Sequence, residues 1–420
     1  MRKLFACLLA FGILLGLAPG AAQAAETLRP PGILLDDYPL AFPVPPTIVD
    51  GRTLVPFRAI AEALGITVTW HQETRSIDAS GPGHEVRLVI DDRIMLVDGA
   101  PVALDVPPMI VSDRTLVPLR AFSTAFQAKV DWDPVGRNAL VFSPPRAMRT
   151  LAFYALGSFA ERDYVSHFSG AAYGWATLTA DGQVDLASGE YKWPEPAGNI
   201  SGEQLLADAR QAGTKRYLMV HRTDKDDKLT ALVKNDALRD QVAGNVAAAV
   251  SSKGFDGVVL DLEGLGLNET GTDLTMVQQG FIGLVARVAQ TLHAVGKEVI
   301  VSVHPLNGAY RGYNYLALAA KVDALQIMAH DYLQDGKPEP MDRVDEAIRM
   351  ALQAVGNDQR HKLLLGLLLG PDGASETAAT IPQKVGLAKR YDLAGISVWR
   401  LGVVDAERMA ALDATAIPRK

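Results

Sequence analysis

The sequence predicts an α/β protein: a (β/α)8 barrel preceded by a small α+β domain built from a tandem repeat. Three observations predict it. Over roughly the last 270 residues, eight apolar strand patterns alternate with helical ones. Upstream, two segments match at an offset of 62 residues. The two regions meet at Pro144-Pro145, which cannot continue a strand ladder and reads as a short stiff linker. An open doubly wound sheet is the alternative for the same alternation.

Composition bounds the function. The chain has 420 residues, which allows two or three domains. With 48% hydrophobic and 21% charged residues it has ample apolar material for a core. A net charge of −7 excludes a broad attraction to nucleic acid or anionic lipid. Residues 1–24 read as an export signal: Arg2 and Lys3, an apolar run over 4–17, then the small-x-small site Ala22-Gln23-Ala24. The alternative is an uncleaved anchor, but the apolar run is shorter than the ~20 residues a span needs. No later run is long enough to span, so no membrane segment is expected after cleavage, and a secreted or wall-associated location is. Cys7 is the sole cysteine and lies inside the signal, so no disulfide or thiol chemistry is expected in the mature chain.

Residues 25–145 form the repeat domain. Residues 45–58 read PPTIVDGRTLVPFR and residues 107–120 read PPMIVSDRTLVPLR, with Trp70 and Trp132 at the same offset. Each unit reads as a short strand pair, a loop, RTLVP, a short helix (57–64 and 119–126), then a strand ending in Trp. Pro56 and Pro118 suit a helix start, where a missing N–H costs nothing. This region, over roughly 30–145, resembles the copper amine oxidase N-terminal-like or stalk domain of exported bacterial proteins. Copper binding is not expected, because the segment has no cysteine and His71 and His84 lack a ligand cluster. Arg52 and Arg114 read as structural partners of Asp or carbonyl groups, and the domain as a structural or wall-associating module.

Residues 146–420 form the barrel. Its strands are expected at 150–156, 171–176, 216–221, 257–263, 298–303, 324–329, 362–368 and 395–399. Ser201-Gly-Glu-Gln204 is a capping box opening one helix. Helices over 235–252, 272–295 and 342–355 end before Gly254, at Gly296 and at Gly356. In such a barrel, chemistry belongs at the C-terminal strand ends.

The fourth strand is the most informative, reading FDGVVLDLEG over 255–264. Alternate side chains share a face, so Gly257, Val259, Asp261 and Glu263 point into the lumen. Two inward acids are costly without a purpose. So close together they resist joint ionisation, and one is held protonated as a candidate general acid. The segment resembles the D-G-x-x-x-D-x-E signature of glycoside hydrolase family 18, the chitinase-like enzymes, through Asp256, Gly257, Asp261 and Glu263. Met328-Ala-His-Asp331 stands where that family has Met-x-Tyr-Asp. The stretch GISVWRLG over 395–402 resembles its last strand. The compact loops and the WRLG ending are most similar to wall- and spore-cortex-type members.

The resemblance implies roles. Glu263 would protonate the glycosidic oxygen, and Asp261 would orient the substrate's N-acetyl group, whose carbonyl oxygen attacks the anomeric carbon. No protein nucleophile, metal or cofactor is needed in this substrate-assisted scheme. Asp331 would contact the sugar or support the acid, and Trp399 would stack beneath the reacting ring. Met328, Asp256 and Tyr154, at the first strand end, complete the candidate substrate contacts. His330 replaces the family's tyrosine and Val259 replaces a further acid, so a non-catalytic glycan-binding protein is one alternative. A barrel metallohydrolase built from His304, His330, Asp331, Asp261 and Glu263 is another. Trp175 reads as packing. The implied partner is a polysaccharide containing N-acetylglucosamine, with cell-wall attachment through the first domain.

Overall fold

The computed structural model describes residues 30–330, 337–370 and 375–420. The expected signal and Asp331 lie outside the described residues.

Eight parallel strands close into a barrel: β1 (Arg146–Tyr154), β2 (Gly170–Leu178), β3 (Lys215–Thr223), β4 (Gly257–Glu263), β5 (Glu298–Val303), β6 (Ala324–Ile327), β7 (Leu363–Leu368) and β8 (Gly395–Trp399). The closing pair sets Arg149 to Ala152 of β1 against Gly395 to Val398 of β8. The open-sheet alternative is thereby removed. Strand alternation explains why the ring is stable. On β4, Val258, Leu260 and Leu262 face outward into the core shared with the surrounding helices. Val259 faces inward and joins Phe153, Met219, Ile300 and Leu364 in a separate apolar plug.

The helices start and stop where the local chemistry allows. Ser201 caps Gly202–Gln211 by accepting the Gln204 N–H, and Asn235 caps Asp236–Ser252 by accepting that of Leu238. Gly254, Gly296 and Gly356 all take positive φ just past their helices.

The first domain departs from beads on a string. Its two RTLVP strands, Arg52–Pro56 and Arg114–Pro118, pair antiparallel with Val55 opposite Val117. The strand Gly32–Leu35 of the first unit pairs in parallel with Asn138–Phe142 of the second. The units interleave because helices of seven residues cannot cover a core alone. Ile60 and Phe122 share one cluster instead. Pro56 and Pro118 end their strands and precede the helices, rather than occupying the first helical position. Arg52 bonds Asp105 at 2.7 Å, whereas among the described residues Arg114 reaches only the carbonyl of Asp113 at 3.4 Å.

The domain seats against the helix Ile381–Arg390. Arg390 donates to the carbonyls of Leu35, Tyr38 and Pro39, and Asp36 accepts from Ser143 at the junction. These contacts lie beside the N-terminal ends of β1 and β8, opposite the barrel mouth.

Candidate active site

At the mouth, strand ends and loops enclose a cavity of about 450 Å3 lined by Phe153, Asp261, Glu263, Ser302, His304, Tyr310, Gln326, Met328, His330 and Trp399. The inner face of β4 supplies both acids, Asp261 one layer below Glu263. Asp261 is 4% exposed. Val259 beneath it belongs to the apolar plug, so no acid can share a proton from below.

The electrostatics separate the two acids. Burial pushes Asp261 well above the usual carboxylate range, and the adjacent Glu263 charge pushes it further. Burial acts on Glu263 in the same direction, but the effects led by the His221 contact outweigh it and hold Glu263 below its ordinary value. His221 Nε2 lies 3.5 Å from Glu263 Oε1, and its ring stacks on Tyr191 at 4.3 Å. Burial alone would lower the His221 pKa. Its acidic neighbours, Glu263 first, raise it instead. The two acids are therefore driven apart, Asp261 toward its protonated form and Glu263 toward its ionised form.

His304 is different in kind. The Gly264 N–H points at its Nε2 at 3.4 Å, so that nitrogen acts as an acceptor. Burial pulls its pKa down to about 4. The 3.8 Å approach of His304 to Glu263 is thus a contact of a neutral ring, not an ion pair. The ring packs on Tyr310 at 4.0 Å. His330 is also neutral: burial, then the nearby Lys384 ammonium, lowers its pKa to about 4. Its Nε2 has no hydrogen-bond partner among the described residues. Gly366 makes room for it. A Cβ there would lie 2.5 Å from Gln326 Nε2 and 3.2 Å from the His330 ring.

Trp399 ends β8 on the cavity wall, with Phe153 edge-on at 5.3 Å. Met328 lines the same cavity. Two expected substrate contacts do not. Tyr154 points out of the barrel into a cluster with Tyr173 and Trp175, because on β1 the inward position falls to Phe153. Trp175 packs there as expected. Asp256 lies at the opposite end of β4, where Arg216 grips both of its oxygens at 2.7 and 2.8 Å. It shapes the barrel floor. His221, Tyr191 and Tyr310 were not expected from sequence. The signal for His221 existed, since Tyr217 and Met219 face inward and His221 continues their alternation.

The ligand atoms of His221, Asp261 and Glu263 lie within 4.8 Å of one another, the arrangement among the described residues best placed to share an ion. It is not the His304 and His330 combination. A metal needs neutral imidazole and ionised carboxylates. Without an ion, the acidic neighbours raise the His221 pKa and burial raises that of Asp261.

The closed barrel with paired acids at its mouth defines a glycosidase-like α/β enzyme. The chain matches the sequence profile of the glycosyl hydrolases family 18 over residues 151–369, and it belongs to that family. It is a glycosidase. Residues 34–141 match the copper amine oxidase N-terminal domain. The fold is similar to a chitinase from Chromobacterium violaceum, with TM-score 0.52 and 20% identity over 64% of this chain and 98% of that one. It is similar to the Bacillus cereus spore cortex-lytic enzyme SleL, with TM-score 0.53 and 15% identity over 66% and 77%. A class V enzyme of the chitinase kind from Pseudomonas fluorescens matches with TM-score 0.51 and 20% identity over 64% and 99%.

Proposed function

We propose that the protein is an exported enzyme cleaving a β-linked glycan that contains N-acetylglucosamine, of the peptidoglycan, spore-cortex or chitin type. Cleavage is substrate-assisted and retains configuration. The observation that carries this reading is the stacked Asp261–Glu263 pair above an apolar floor, with Trp399 on the wall of the same cavity.

In the free enzyme one proton rests on Asp261, and Glu263 is ionised against His221. A substrate acetamido N–H needs a carboxylate to accept it. Binding therefore favours ionised Asp261, and the proton passes to Glu263. Glu263 then protonates the glycosidic oxygen as the acetamido carbonyl oxygen attacks the anomeric carbon, forming a bicyclic intermediate. Ionised Asp261 balances the positive charge on the acetamido nitrogen. Water then opens the ring, its proton taken by Glu263, and the second displacement restores the original configuration. His221 is a positioning residue that fixes the Glu263 carboxylate. The unpartnered Nε2 of His330 is the atom proposed to meet the N-acetyl group in place of tyrosine. Asp331 is proposed to support the sugar. Trp399 and Met328 flank the bound ring, which offers an apolar C–H face to the indole.

Export through residues 1–24, a mature repeat domain over 25–145 and a barrel over 146–420 complete the proposal. The test is incubation of the purified mature protein with peptidoglycan and with chitin oligomers, reading new reducing ends. Release from either, undiminished by EDTA, supports the reading. Loss on chelation with rescue by zinc or manganese would replace it with a metallohydrolase.

A further inference from the structure

The two repeats of the first domain do not use their matched tryptophans alike. Trp70 donates its Nε1–H to Gln72 at 2.9 Å and packs against the domain core. Trp132 is 39% exposed, and its Nε1 has no partner among the described residues. It lies on an edge strand, Lys129–Asp133, at the far side of its sheet from Tyr38–Pro39, the strand that Arg390 holds. Seating on the barrel therefore does not cover it.

Trp132 lines a groove of about 410 Å3 between the repeats, together with Ile48, Arg52, Asp105, Arg120 and Asp131. The charges there are mostly matched. Arg52 bonds Asp105 at 2.7 Å, and Lys129 holds Asp131 at 3.0 Å. The exposed Arg120 guanidinium has no hydrogen bond or ion pair among the described residues. The groove thus offers an aromatic face, a polar rim able to bond hydroxyls, and one uncompensated cation. A sugar strand has apolar C–H faces and equatorial hydroxyls, and a carboxylate on it would complete the match.

We propose that this groove binds a wall-type glycan strand of N-acetylated sugars bearing carboxylates. Trp132 stacks beneath one ring and Arg120 pairs with the acidic substituent. The proposal rests on the reading of the barrel as a wall-glycan hydrolase and extends it. The groove would hold the polymer at a site separate from the mouth, so the barrel works on strands close to its anchor.

The test uses the full mature chain carrying Glu263→Gln, so that the polymer stays intact. Sedimentation with purified peptidoglycan sacculi, and separately with chitin, gives the half-saturating concentration. Trp132→Ala and Arg120→Glu should each raise it on sacculi by about tenfold, the scale of a binding hot spot. Val135→Ala, an exposed apolar change outside the groove, should leave it unmoved. Arg120→Glu should matter less on chitin, which lacks the carboxylates. Parent-like retention of both groove variants on sacculi would overturn the proposal. Equal loss of Arg120→Glu on both polymers would overturn its acidic-glycan part. Hydrolysis of a soluble chito-oligomer is read in parallel with Glu263 intact. Cleavage with unchanged retention of the Trp132 variant sinks the groove alone. Trp132-dependent retention without cleavage of any glycan sinks the barrel reading alone.

Discussion

Asp256 and Asp261 sit at opposite ends of one strand, and their surroundings differ. Asp256 meets a dedicated cation. Both of its oxygens are held by the buried Arg216, and despite partial burial that pairing keeps its pKa below the ordinary aspartate value. Asp261 meets another acid, with no guanidinium or ammonium against it among the described residues, and its pKa is raised. Acids in a barrel thus fall into two kinds. An acid with its own arginine maintains the scaffold. An acid stacked on an acid, with imidazole alongside, holds a mobile proton.

Three substitutions test that sorting, the largest effect first. Glu263→Gln removes the group proposed to deliver the proton. It should lower kcat by at least ~10²-fold, the low end for general acid catalysis, with unchanged circular dichroism and Tm. Near-parent turnover would place the acid elsewhere.

Asp256→Asn should do the reverse. It leaves Arg216 buried beside a neutral group, and should cost about 1–3 kcal/mol of stability in denaturant unfolding while kcat stays within about twofold. The pH dependence has a definite sign. A carboxyl whose folded pKa is depressed contributes stability above the unfolded aspartate pKa, and that stability is lost as pH falls through the folded value. The stability gap between parent and Asp256→Asn should therefore be full near neutrality and close only below about pH 4. A gap that persists undiminished in acid would mean the contact is not ionic.

The smallest effect is expected at His330. With its pKa near 4, the ring is neutral at and above neutral pH, so its titration cannot shape the basic limb of activity. An exposed imidazole here would make the reaction depend on its charge, as a tyrosine would not near neutrality. Burial and Lys384 remove that dependence. His330→Tyr should change kcat/KM by no more than about threefold and leave the basic limb in place. A displaced basic limb would show that His330 carries a proton in the working range.

The acid pair was legible because β4 is a long apolar strand on which period-two alternation assigns faces without ambiguity. The same rule, applied without a fixed phase, failed at β1. There Phe153 and Tyr154 are adjacent aromatics, and only the observed register shows that Phe153 faces the lumen. His221 was hidden by the apolar run before it, which reads as core whichever way it is phased. Tyr191 and Tyr310 reach the site from loops remote from the motifs, a placement that no local pattern encodes. In the first domain the repeat was plain, but the exchange of Gly32–Leu35 into the second unit's sheet is long-range pairing and left no local mark.

Central to the proposed mechanism is one shared proton that rests on Asp261 rather than Glu263. Carbon-13 NMR of side-chain carboxyls, assigned with Asp261→Asn and Glu263→Gln, would follow both groups in the free enzyme from about pH 4 to about pH 9. The expected result is a Glu263 signal ionised through most of that range, while Asp261 stays protonated well above the usual carboxylate midpoint. Both carboxyls ionised together by about pH 5 would contradict the shared proton. It would also remove Asp261 as the source of the proton that Glu263 is proposed to deliver.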